Sequence, residues 1–154
     1  MDIGNELIII SKLIVSFLLG AFIGYDRERH GRDARIRTYT AVSIGATLFT
    51  IIGEPLSDTA AASRIIANIV VGIGFLGAGI IYRNNASNTS HGLTTAATIW
   101  RTAAIGVAVG LDMFLTAIIG ASALYFLLVL HHQRWHVKWK QKILNNQNEQ
   151  SCDD

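Results

Sequence analysis

The sequence predicts an all-α, polytopic membrane bundle of about five transmembrane helices, and three observations predict it. Half of the 154 residues are hydrophobic (51%) and only 16% are charged, too few to clothe a soluble domain but enough for a chain whose surface faces lipid. The apolar residues fall into five runs of near-spanning length, roughly Leu7–Tyr25, Thr38–Gly53, Ile65–Tyr82, Leu93–Gly110 and Met113–Leu130, against the ~20 residues a spanning helix needs. The loops between the runs alternate in charge. No run shows sustained period-2 alternation, which argues against a membrane barrel.

The first run opens after Asp2 and Glu6 and has no small-residue cleavage pattern, so it reads as a retained span rather than a signal peptide. Lys12 sits a turn and a half inside it, a position from which a lysine can snorkel outward. Arg27, Arg29, Arg32, Arg35 and Arg37 crowd the first loop, Glu54 and Asp58 the second, Arg83 and His91 the third, and Asp112 the fourth. Arg134, Lys138, Lys140 and Lys142 follow the fifth run. Basic loops stay cytoplasmic, which places the N-terminus outside and the C-terminus inside. Residues 1–132 form the transmembrane domain, and 133–154 a basic, amphipathic and then polar cytoplasmic tail. The single cysteine, Cys152, permits no internal disulfide.

The run from Gly72 to Gly79 contains a literal G-x-G-x-x-G, but no acid occurs anywhere from Thr59 to Leu111, so the ribose-binding carboxylate of a dinucleotide fold is missing. Helix packing is the better account. Gly20 and Gly24, Gly72 and Gly79, and Gly106 and Gly110 pair on helix faces and let backbones approach where lipid removes the hydrophobic drive. They also suit a homo-oligomer.

Polar stripes recur at helical spacing: Thr40, Ser43, Thr47, Thr50 and Glu54; Arg64, Asn68 and Gly72; Thr94, Thr98 and Arg101. Hydroxyls in spans commonly bond their own backbone or a neighbouring helix. A charge demands more. Arg101 lies about 13 Å from either end of its run, and arginine at mid-bilayer costs about 2.5–3.5 kcal/mol even on the lenient insertion scale. Its expected counter-ions are Glu54 and Asp112 on one side, or Asp26 and Glu28 on the other. In the first loop, acids and arginines side by side read as ion pairs that fix a helix end; a bound Mg²⁺ would have to compete with the arginines for the same oxygens. His132 and His136, one turn apart, lack the further ligands a metal site needs, and with Trp135 and Trp139 they suit a membrane-interface belt. No nucleophile elbow, zinc-protease motif or P-loop is present. Neither enzyme, cofactor, metal nor nucleic acid is expected.

Taken in order, Gly24-Tyr25-Asp26-Arg27-Glu28-Arg29, Gly31, Arg37-Thr38, Ser63-Arg64-Ile65, Gly72–Gly79, Gly92-Leu93-Thr94-Thr95-Ala96-Ala97, Trp100 and Ala103–Gly106 resemble the MgtC/SapB family of bacterial inner-membrane proteins over roughly residues 7–130. The resemblance implies a multi-pass protein of the cytoplasmic membrane with a role in magnesium homeostasis and in adaptation to low Mg²⁺, acid or life inside host cells, hence virulence-related. It implies regulation of a membrane partner such as the rotary ATP synthase, with a small-cation (Mg²⁺ or proton) transporter or channel, lined by spans two to four, as the alternative. Carried over by motif, Asp26, Arg27, Glu28, Arg37, Thr38, Arg64, Asn68, Gly77, Thr94 and Thr95 are the positions expected to matter. The chain departs from the family pattern in ending short of a C-terminal ACT-like domain, in Asn68 where glutamine is expected, and in Arg101 where a small or apolar residue is expected.

Overall fold

The computed structural model describes residues 3–32, 34–54, 59–84 and 89–132. Among these residues, five helices carry the fold: α1 (Ile3–Arg29), α2 (Ile36–Gly53), α3 (Thr59–Ile80), α4 (Leu93–Gly110) and α5 (Phe114–His132). Two short strands, β1 (Tyr82–Asn84) and β2 (Thr89–His91), pair antiparallel between α3 and α4 with Tyr82 opposite His91. The sequence gives no pattern for this hairpin, whose strands are three residues each. The stacked Tyr82 and His91 rings, 5.3 Å apart, close its base.

Helix ends follow local chemistry. Gly31 adopts a left-handed φ of 63° just after α1, and the amides of Gly31 and Arg32 return to the carbonyls of Glu28 and Arg27. That is the Schellman closure glycine favours. The Ile36 amide at the start of α2 donates to Glu28 Oε2 at 3.3 Å. At the end of α4 the same closure recurs, with amides of Asp112 and Met113 bonded to Val109 and Ala108 carbonyls. Here the left-handed residue is Asp112, at φ 60°, a conformation disfavoured for side chains bearing a Cβ.

Glycine sets the packing. A methyl at Gly24 would lie 2.5 Å from the Ile36 Cα, and one at Gly20 would lie 2.9 Å from Ser43 Cβ, so α1 and α2 run antiparallel in backbone contact. Gly106 sits on the Ser43 carbonyl and Gly110 on Thr50, so α2 and α4 run parallel. Helix α3 flanks both, with Gly53 against Ile65 and Gly77 against Ala96. Gly120 near the start of α5 faces Ile105 of α4. Gly72 and Gly79 do otherwise: nothing lies within 4 Å of a methyl at either.

The bundle buries hydroxyls and charges among its apolar side chains and is apolar outside. Its fully buried side chains include Ser16, Ser43, Thr47, Thr98 and Thr102, whereas Phe17, Phe22, Phe49, Phe75, Leu76 and Leu115 are exposed. Water would not tolerate such a surface, and a bilayer requires it. Among the described residues, three helices are long and apolar enough to cross a membrane: α1, α2 and the Ala62–Ile80 portion of α3. Helix α4, diluted by threonines and Arg101, lies outside that group and shelters against α1, α2 and α3. Residues 1–122 form one compact unit; a second begins at Ala123, and its described part continues the apolar α5 helix. The tail, 133–154, lies outside the described residues.

Candidate functional site

A row of buried polar side chains runs along the seam between α1, α2 and α4. On α1 the inward positions are Lys12, Ser16, Gly20, Ile23, Gly24 and Arg27, three or four residues apart with Gly24 beside Ile23. Fifteen residues separate Lys12 from Arg27, about 22 Å along the helix.

Lys12 forms one end. Its side chain is buried, at 3% exposure, and Nζ lies 2.8 Å from Asp112 Oδ2, 3.4 Å from Glu54 Oε2 and 3.0 Å from the Gly110 carbonyl. This overturns the expectation that Lys12 snorkels outward: three acceptors from two other helix ends converge on it. It also removes Glu54 and Asp112 as counter-ions of Arg101. Arg101 precedes Gly110 by nine residues, about 13 Å, and shares α4 with it. Half-buried in the middle of α4, Arg101 makes no ion pair among the described residues.

The centre is a hydroxyl layer. Ser16 Oγ and Ser43 Oγ are 2.9 Å apart, and Thr47 Oγ1 lies within 3.0 Å of Ser16 Oγ, the Ser43 carbonyl and the Gly106 carbonyl. Its single proton serves these acceptors one at a time. Thr50, Thr98 and Thr102 donate to carbonyls one turn back, on Ala46, Thr94 and Thr98. Every one of these groups finds a partner in its own or a neighbouring helix, as lipid demands.

Arg27 forms the other end. It is 4% exposed, and Nη2 donates to Thr95 Oγ1 at 3.4 Å. The fold thus unites two motif residues 68 positions apart in the chain. The other motif residues of this loop do different work. Asp26 faces His30, with its carbonyl 2.7 Å and Oδ1 3.6 Å from Nδ1, and Glu28 caps α2. The expected pairing of these acids with the loop arginines is absent among the described residues. Arg37 and Thr38 are exposed, as are Thr94, Arg64 and Asn68.

Asn68 and Gly72 line a groove of about 580 Å³ between α2 and α3, walled by Ala41, Gly45, Phe49 and Leu76. It is apolar and opens to the outside of the bundle. The polar stripe on α3 therefore does not join those of α2 and α4; its place in the seam is taken by α1. Lys12 and Ser16 carried a usable signal, sharing a helix face with Gly20, yet a lysine near a terminus resembles an interfacial anchor until its partners are seen.

A polar seam inside an apolar exterior defines a helical-bundle membrane protein. The chain belongs to the MgtC family, which it matches over residues 13–136. It is similar to Protein SrpB of Synechococcus elongatus, 36% identical over 93% of this chain and 91% of that one. It is also similar to Protein MgtC of Brucella abortus, 45% identical over 62% of this chain and 39% of that one. Protein MgtC of Salmonella typhimurium is 44% identical over 71% of this chain and 46% of its own length. The chain thus spans nearly all of SrpB and less than half of the MgtC proteins it matches. No solved structure matches.

Proposed function

We propose that this chain is a non-enzymatic regulator in the bacterial cytoplasmic membrane, crossing it five times with the N-terminus outside. It acts on a membrane-protein partner, the rotary ATP synthase being the one the family resemblance suggests, and serves adaptation to low Mg²⁺, acid or host-cell stress. The names of the Brucella and Salmonella relatives support an MgtC-type role. The observation that carries lateral action is α3. Apart from Gly77, none of its membrane-length window is buried, and it offers Gly72, Gly79, Phe75 and Leu76 to whatever lies beside it, a second copy included.

The second reading is a small-cation transporter. The seam from Lys12 to Arg27 favours it, with α1, α2 and α4 as walls in place of spans two to four.

Inside-out membrane vesicles with and without the chain separate the two. ATP hydrolysis and ATP-driven proton pumping falling together support restraint of the synthase. Pumping that falls while hydrolysis holds or rises supports an ion leak. If neither moves, both readings fail.

A further inference from the structure

The start of α4 holds an electrostatic conflict that neither reading uses. Helix α4 follows Gly92, at φ 85°, with no side chain capping its first turn. Its leading amides present the positive end of the helix dipole. Against its third residue stands Arg27, nine-tenths buried and more, with Nη2 on Thr95 Oγ1 and Nε without a partner.

A buried cation facing a positive helix end is doubly unfavourable. No carboxylate makes an ion pair with Arg27 among the described residues. Asp26 is engaged with His30 and Glu28 with the Ile36 amide, and no acid occurs from Thr59 to Leu111. A second buried guanidinium Nε without a partner belongs to Arg32, whose amide donates to the Arg27 carbonyl at 3.2 Å. The approach is open, since Leu93 and Thr94 on the first turn of α4 are exposed. The start of the helix is fixed: a side chain at Gly92 would collide with the Ile80 carbonyl.

We infer that Arg27 and the N-terminal turn of α4 form a binding site for a phosphate-type oxyanion. Amides at a helix N-terminus, the Thr94 hydroxyl and a guanidinium fork supply the several donors such a group accepts, and one bound oxyanion neutralises both positive elements. The phosphate of an anionic lipid headgroup and free inorganic phosphate share this chemistry.

The test is thermal unfolding of the full chain in a phosphate-free maltoside detergent at fixed ionic strength. Inorganic phosphate replaces chloride in one series. Short-chain phosphatidic acid is compared with diacylglycerol of the same chains in another. A Tm rise of roughly 5–11 °C is expected at a concentration about 100-fold above the dissociation constant. A rise with inorganic phosphate identifies a free-phosphate site. A rise with phosphatidic acid alone identifies a headgroup site. Arg27→Met should abolish the rise yet melt no lower than wild type without phosphate, because the uncompensated charge has gone. Arg37→Gln, at an exposed position, should respond as wild type does. If Arg27→Met fails to fold, Arg27→Lys and Thr94→Val decide, each expected to weaken the response several-fold. The inference is overturned if neither phosphate nor phosphatidic acid outperforms its control, or if the variants that fold respond like wild type.

Discussion

The Lys12 cluster should show a lopsided response to mutation. The Lys12 ammonium is buried while its two carboxylates, on Glu54 and Asp112, are about half exposed (54% and 51%). Replacing both acids, Glu54→Gln with Asp112→Asn, leaves the cation with the Gly110 carbonyl and two neutral amides. A buried charge stripped of its partners costs about 3–5 kcal/mol. The lower end applies, because water can reach the exposed side of the cluster. About 3 kcal/mol corresponds to a Tm lower by roughly 6–12 °C for a chain of this size. Lys12→Met removes the buried charge itself and leaves two acids that water can solvate, so its cost should be about 1 kcal/mol or less. Asparagine is the substitution of choice at Asp112, since it tolerates the left-handed backbone there and so isolates the charge. Of the single variants, Asp112→Asn should cost more than Glu54→Gln, following contacts of 2.8 and 3.4 Å. Thermal unfolding in detergent, all variants in one buffer, reads the series. If Lys12→Met is as damaging as the double acid variant, desolvation of the ammonium does not govern the site and the reasoning fails.

Three further predictions follow from packing and bonding. Gly106→Ala, which would press a methyl into the Ser43 carbonyl and to 3.0 Å from Ala46 Cβ, should lower folded yield sharply, whereas Gly72→Ala and Gly79→Ala should leave the Tm of the monomer unchanged or slightly raised; any effect of the latter pair should appear in cross-linking of copies. Thr47→Val keeps the volume but removes the hydroxyl between Ser16 and Gly106, and its unfolding free energy should fall by about 0.6–1.7 kcal/mol, the range for interhelical hydrogen bonds in membranes. Arg101→Leu should leave the Tm unchanged or raise it, since the guanidinium makes no ion pair among the described residues; a large fall would show that Arg101 supports the fold.

Much of the architecture was legible in one dimension. Each of the five apolar runs reappears as a helix within a few residues, because apolar length and charged punctuation are properties of the chain itself. Gly20, Gly24, Gly106 and Gly110 meet backbone or side chains across helix interfaces, as small residues at helical spacing suggest. The stripe Ser43, Thr47 and Thr50 points inward for the same reason of periodicity.

What the sequence could not determine was which face meets which. Periodicity says that Gly72 and Asn68 share a side of α3, and only the fold shows that this side turns outward while α1 fills the seam. Spacing makes Arg101 the central charge of α4, and only the fold assigns Glu54 and Asp112 to Lys12. The 68 residues between Arg27 and Thr95 likewise carry no trace of their contact. Local pattern is written into a helix by its own residues, whereas pairing across helices depends on register and rotation, which are settled when backbones touch at a few glycines. The sequence alone thus determined a membrane bundle of this family; the tertiary structure decided where its charges meet.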